Sequence, residues 1–281
     1  MALTGINAYL RPGTLEEALA LLGDGAIAVA GGTDVIRHPH RGVTTLVDLG
    51  GMPLRYLRQE RGFAIGATAT LTDMLEHPGL AAHLDGVVAA MLRGVGSPLL
   101  RNAATIGGHL ARGRYSDIVP VLLALDAMVT LFDGTERTLS LADYYGEGRH
   151  RSRDLITEVG LPAAGPDTAA SFLKFTRVFF DFALLNCAVR VRRGKGGKVA
   201  ECRIAVGETP GLAALVEPAA DYLLGKVPDD EALAAAGAIA AHEIPAQDDQ
   251  RASAEYRRAL CRVGVRRCLA EARSRLEGRR A

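Results

Sequence analysis

Two of the glycine pairs in this chain, Gly31-Gly32 and Gly107-Gly108, stand where backbone amides could hold an anion. Ala30-Gly31-Gly32-Thr33-Asp34 follows a short apolar run. Successive glycines let amides approach a phosphate with no Cβ in the way, and the Thr33 hydroxyl can add a donor. Asp34 is repelled by phosphate, so its expected work is to cap the following turn rather than to touch a ligand through its carboxylate. Farther along, Gly107 and Gly108 follow the hydroxyl residue Thr105 in the segment from Arg101 to His109. Each pair also suits an ordinary turn, whereas two such loops together could grip one long ligand. A side chain added at Gly32 or Gly107 is then expected to reduce ligand binding more than folding.

The other reactive groups read more plainly. Gly23-Asp-Gly25-Ala-Ile-Ala28 matches the dinucleotide fingerprint in letters, but that motif works between a strand and a following helix. Here a helix precedes and a strand follows, so the segment reads as a helix stop. His38-Pro-His40 has no third ligand nearby and reads as a surface turn. Cys187, Cys202, Cys261 and Cys268 share no C-x-x-C spacing, which leaves no zinc knuckle or complete iron–sulfur site. Cys187 and Cys202 read as core thiols, and Arg177 with Asp181 as an i, i+4 structural ion pair. No general acid, base, nucleophile or metal ligand set is assigned.

These segments need elements to hold them. Thr14 and Glu17 begin a helix as a capping box, and Gly23 can end it. AIAVA from Ala26, TTLVDL, GFAIGATAT, Ala127 to Phe132 and Ile156 to Leu161 have strand character. TLTDMLE and DGVVAAML read as helices that stop at the breakers of GVGSP. Pro162 to Asp167 is the linker, since two prolines and a glycine disfavour both helix and ladder. After it, two strands flank Gly194-Lys-Gly-Gly197 as a hairpin, and helices follow from Asp229-Asp230 and from Ser253. The last is expected to bury Tyr256, Leu260 and Val263 and to expose the arginines from Arg257 to Arg266.

The 281 residues carry 33 Lys+Arg against 32 Asp+Glu, a net charge of +1, which leaves no global field for a nucleic-acid backbone or an anionic membrane. Pro120 and Asp126 interrupt the longest apolar stretch, and the N-terminus lacks the basic start and apolar run of an export signal. A cytoplasmic protein with reduced thiols is expected.

The combined text of VAGGTDVI, TLVDL, IGATAT, GSPLLRNAATIGGHLARGRYSDIVPVLLALDA and DQRASAEYRRALCRVGVRR resembles the FAD-binding medium subunit of molybdenum hydroxylases, the xanthine dehydrogenase and aerobic carbon monoxide dehydrogenase flavoprotein family. The likeness runs from about Pro12 to Leu269. It implies an α+β fold: a two-part N-terminal FAD-binding domain with mixed sheets over residues 1–164 (about 1–55 and 56–164), and a C-terminal domain over 168–281. The latter would be a three-stranded antiparallel sheet packed with helices.

The resemblance further implies that Val29, Ala30, Gly31, Gly32, Thr33 and Asp34 surround the FAD pyrophosphate. Thr105, Ile106, Gly107, Gly108 and His109 would lie beside the flavin and its ribityl chain, with Asp117, Ile156 and Lys174 also near the cofactor. FAD would be non-covalent, with [2Fe–2S] clusters on an iron–sulfur partner and molybdopterin on another. Electrons would pass from the clusters through the flavin to NAD or another acceptor. Three departures stand out: His109 replaces a usual Asn, the stretch to Asp117 is one residue short and lacks a proline, and GETPGLAAL replaces a glycine-proline stretch after Val206. They motivate the alternative of a non-catalytic assembly subunit with a degenerate flavin site.

Overall fold

The computed structural model describes residues 5–37, 42–148 and 153–279, so His38-Pro-His40 lies outside the described residues. The chain forms two compact units. The first contains Met1–His77, Ser97–Arg112 and Met128–Leu161; the second contains Pro78–Gly96, Gly113–Ala127 and Pro162–Ala281. The proline-containing stretch after Leu161 is where the chain leaves the first unit for the last time.

In the first unit, strands β1 (Ala8–Leu10), β2 (Ala26–Val29) and β3 (Thr45–Asp48) make a parallel sheet in the order β1-β3-β2. The helix Leu15–Leu21 links β1 to β2. Thr14 caps it by accepting from the Glu17 amide, while the Glu17 carboxylate returns to the Gly13 amide. Ala18, Val47, Leu49, Met52 and Leu54 form an apolar core there with Phe132 and Leu155.

An antiparallel sheet of five strands completes this unit: β4 (Leu57–Gln59), β5 (Phe63–Gly66), β6 (Met128–Phe132), β7 (Glu136–Ser140) and β8 (Leu155–Leu161), in the order β4-β5-β8-β6-β7. Thr70 and Asp73 form a reciprocal capping box at the helix Leu71–Glu76.

The second unit is built on β9 (Thr168–Phe175), β10 (Leu185–Arg193), β11 (Val199–Gly207) and β12 (Ala214–Leu215), antiparallel in the order β12-β11-β10-β9. The three long strands are the expected sheet, and the two-residue β12 adds to one edge. Gly196 and Gly197 take φ of +66° and +76° in the hairpin turn, where only glycine is unstrained. Leu185, Cys187, Val189 and Val191 alternate along β10 onto the core shared with the helices Asp230–Glu243 and Ala254–Gly278. All four cysteines are free thiols.

The last helix buries a different face from the one expected. Tyr256 is 50% exposed, whereas Arg257, Cys261, Gly264, Val265 and Cys268 are buried. Gly264 sets the rotation, because a Cβ there would lie 2.8 Å from the Phe175 ring and 2.9 Å from Cys187 Sγ. Arg257 tolerates burial because its guanidinium donates to the carbonyls of Leu184 (3.2 Å), Gln247 and Ala252 (both 2.7 Å) and to Asp249 (2.8 Å). The expected Arg177–Asp181 pair does not form. Their segment is not helical, so Asp181 meets Arg251 at 3.7 Å and Arg177 donates to the Arg251 carbonyl. Among the described residues no helix is long and apolar enough to cross a membrane, and no group of His, Cys, Asp and Glu is placed to hold a metal ion.

Candidate functional site

β2 ends at Val29, whose buried side chain anchors the turn that follows. Gly31 passes so close to the helix Pro98–Ala103 that a Cβ would sit 1.7 Å from the Ala103 carbonyl oxygen. Gly32 then takes a φ of +67°, which reverses the chain and lets the Ile36 amide donate back to its carbonyl at 3.0 Å. The amides of Gly31, Gly32 and Thr33 have no hydrogen-bond partner among the described residues. That is the arrangement expected of backbone kept for a ligand.

The second glycine pair is built differently. It is the start of a helix, Ile106–Arg112, rather than an open loop. Thr105 bridges Thr70, Ile106 donates to the Ala69 carbonyl at 3.0 Å and Gly107 to the Ala67 carbonyl at 2.9 Å. The Gly108 amide donates to the Thr105 hydroxyl at 3.2 Å and the His109 amide to the Thr105 carbonyl at 3.1 Å. These amides are already paired.

Gly107 is needed for internal packing, since a Cβ there would meet the Ala67 carbonyl oxygen at 2.8 Å. The expectation that a side chain at Gly107 chiefly blocks a ligand is therefore corrected. At Gly108 a Cβ would meet only the Thr105 hydroxyl, at 3.0 Å. Thr105, Gly108, His109 and Arg112 recur at helical spacing as one stripe.

Both segments line one cavity of about 490 Å³ within the first unit, in the size range of ligand sites. Ala30 to Asp34 form one wall, and Thr105, Gly108, His109 and Arg112 another. Val29, Ile106 and Gly107 stand behind these walls. Ile156 is buried in β8 and absent from the lining, while its neighbours Arg153, Asp154 and Leu155 contribute to it.

Charge on these walls is organised in pairs. Arg112 Nη1 lies 3.1 Å from Asp34 Oδ1, a contact between residues that the sequence alone does not connect. Asp154 meets Arg137 at 3.0 Å, and Arg153 reaches Asp24. His109 is half-buried; burial and the Arg112 charge push its pKa down to about 4, against the opposing pull of Asp34. The imidazole is neutral at pH 7, so it can both donate and accept hydrogen bonds there.

Asp117 and Lys174 belong to the second unit and pair with each other, Nζ to Oδ2, at 2.6 Å. Lys174 also donates to the Gly94 carbonyl at 3.0 Å, and Asn186 donates to Asp117 Oδ1 at 2.9 Å. Burial raises the Asp117 pKa above the usual carboxylate range, against the pull of Lys174 and Asn186.

Residues 4–164 match the family described as "FAD binding domain in molybdopterin dehydrogenase", and residues 170–272 match "CO dehydrogenase flavoprotein C-terminal domain". The nicotine 6-hydroxylase medium subunit of Paenarthrobacter nicotinovorans is 30% identical over 95% of this chain and 97% of that protein. The carbon monoxide dehydrogenase medium chain of Hydrogenophaga pseudoflava is 30% identical over 93% of this chain and 95% of its own length. A solved structure of carbon monoxide dehydrogenase from that organism, lacking the Mo-pyranopterin moiety, superimposes with a TM-score of 0.90 at 29% identity, covering 98% of this chain and 99% of the other.

Proposed function

Because the chain belongs to the family that joins the FAD binding domain of molybdopterin dehydrogenases to a CO dehydrogenase flavoprotein C-terminal domain, we propose that it is the electron-transfer subunit of a multi-subunit molybdenum hydroxylase. It takes electrons from [2Fe–2S] clusters on an iron–sulfur partner and passes them to NAD or another acceptor. A third subunit carries molybdopterin and determines the substrate.

The observation that carries this reading is the run of amides from Gly31 to Thr33, without a partner among the described residues, on the wall of the 490 Å³ cavity. The residues present fit FAD: those amides and the Thr33 hydroxyl would hold its pyrophosphate, and Thr105, Gly108 and His109 would bound the rest. FAD bound there supplies the redox chemistry. The chain's own residues bind and orient it, and none is assigned a proton transfer. Asp117, Ile156 and Lys174 enter the cofactor assignment through the family resemblance. The intact cavity favours a working flavin site over a degenerate one despite His109, since the neutral imidazole retains donor and acceptor capacity.

The test is to purify the chain with its natural partners and to measure flavin, iron, molybdenum and turnover together. FAD on this chain, clusters and molybdenum on its partners, and substrate oxidation by the complex alone are expected. A folded complex without flavin overturns the reading. So does a lone, metal-free chain that oxidises purines or aldehydes at the complex's rate.

A further inference from the structure

Resting on the flavin reading of this cavity, we infer that Arg112 supplies the positive charge that neutralises the cofactor's pyrophosphate, and that Asp34 is the residue that positions it. A pyrophosphate brings negative charge to a glycine turn that already carries an aspartate, and two anions in one half-buried site repel. The structure places a guanidinium against that aspartate. Arg112 and Asp34 lie 3.1 Å apart with side chains only 20% and 31% exposed. Both line the cavity together with Gly31, Gly32 and Thr33.

The other charged groups on the described walls are engaged elsewhere. Arg153 reaches Asp24, whose side chain is 99% exposed, and Asp154 is held by Arg137. Arg112 also stands four residues after Gly108 on the same helical stripe, next to the one position of the second pair where added bulk meets little protein. A guanidinium presents five N–H donors in a planar fork, more than one carboxylate can take, and its geometry matches phosphate oxygens. The carboxylate holds the guanidinium beside the glycine turn by charge, and the glycine amides complete the cradle. In a chain where amides and a hydroxyl alone faced the phosphate, Asp34 would weaken binding. With Arg112 beside it, the same aspartate aims a cation.

The experiment compares the full chain with Arg112→Ala, Arg112→Gln and the double variant Arg112→Ala/Asp34→Asn, each stripped of flavin. Flavin fluorescence gives the FAD dissociation constant across a range of KCl concentrations, with riboflavin, which has no phosphate, as the second ligand. Arg112→Ala is expected to weaken FAD about tenfold to a hundredfold, to flatten its salt dependence and to leave riboflavin unchanged. Replacing Asp34 in that background should recover part of the loss by removing the uncompensated anion.

Should Arg112→Ala lose the apo fold, Arg112→Gln keeps the stem and makes the same comparison. Equal weakening of FAD and riboflavin, an unchanged salt slope, or no recovery in the double variant overturns the inference while leaving the flavin site standing. A folded wild-type chain that does not bind FAD overturns both.

Discussion

Inside the second unit, the Lys174 ammonium sits 2.6 Å from the Asp117 carboxylate, with only 11% and 8% of the two side chains exposed. Taking two charges out of water is costly, and each is tolerated because the other is there. Lys174→Met would leave Asp117 buried with only the Asn186 amide as a side-chain partner, at a cost of about 3 to 5 kcal/mol. The Asp117 pKa is already raised by burial. A group whose folded pKa lies above its unfolded value contributes stability below the unfolded pKa and loses it as pH rises. Without Lys174 the pKa rises further, so the penalty should be larger at pH 8 than at pH 4.5. Urea unfolding at the two pH values checks this, and equal penalties would refute it.

The glycines should separate by role. Gly107→Ala forces a Cβ to within 2.8 Å of the Ala67 carbonyl oxygen and should lower apo stability by about 1 to 3 kcal/mol. Gly108→Ala meets only the Thr105 hydroxyl, at 3.0 Å, so apo stability should change by about 1 kcal/mol or less. Its FAD affinity should nevertheless fall on the order of tenfold. Thermal unfolding of the apo forms and flavin titration read the two effects separately.

His109 gives a pH signature. Its pKa moves from an ordinary 6.5 to about 4 on folding, chiefly through burial. Between those values the unfolded chain binds the proton and the folded one does not, so stability rises with pH across the window and is complete above 6.5. Acidification from pH 6.5 toward 4.5 should lower the apo melting temperature, and His109→Asn should make that fall shallower. Parallel curves for the two proteins would show that His109 does not titrate as described.

Arg257 is a fully buried cation surrounded by acceptors. Arg257→Met removes the guanidinium from three carbonyls and from Asp249, and should cost about 3 to 5 kcal/mol. Burial works to raise the Asp249 pKa, but Arg257 and the amides of Ala252 and Arg251 hold it below the usual carboxylate range. That stabilisation is present above the unfolded pKa of about 3.9 and disappears as pH falls through the folded value. The variant should therefore lose less stability than wild type on acidification, as acid-unfolding curves would show.

Cofactor removal should be reversible. Acid precipitation is expected to release FAD, because no residue is assigned a covalent link to it. Adding FAD at a hundred times its dissociation constant should stabilise the refolded apo chain by about 2.7 kcal/mol. Flavin that remains with the denatured chain would contradict the first expectation, and an unchanged melting temperature the second.

Much of this was legible in the sequence because it depends on near neighbours in the chain. Apolar residues between glycines made β2, Thr14 and Ser253 started helices, and the glycine turn after Arg193 made the hairpin. The two glycine pairs also announced themselves as places of close backbone approach. What the approach was to could not be read locally. At Gly31 and Gly107 the nearby group is another segment of the protein, Ala103 and Ala67, whereas at Gly108 it is the Thr105 hydroxyl of the same helix start.

Arg257 likewise belongs by composition to a solvated helix face. It is buried because carbonyls from Leu184, Gln247 and Ala252 converge on it, a condition that no helical period encodes. Asp34 by itself argued against an anionic ligand, until folding brought the guanidinium of Arg112, distant in sequence, to its side. Capping, turns and alternation act over a few residues, and the chain carries them in plain order. Which charge meets which, and which glycine faces a ligand, is set by contacts between segments that only the folded backbone brings together.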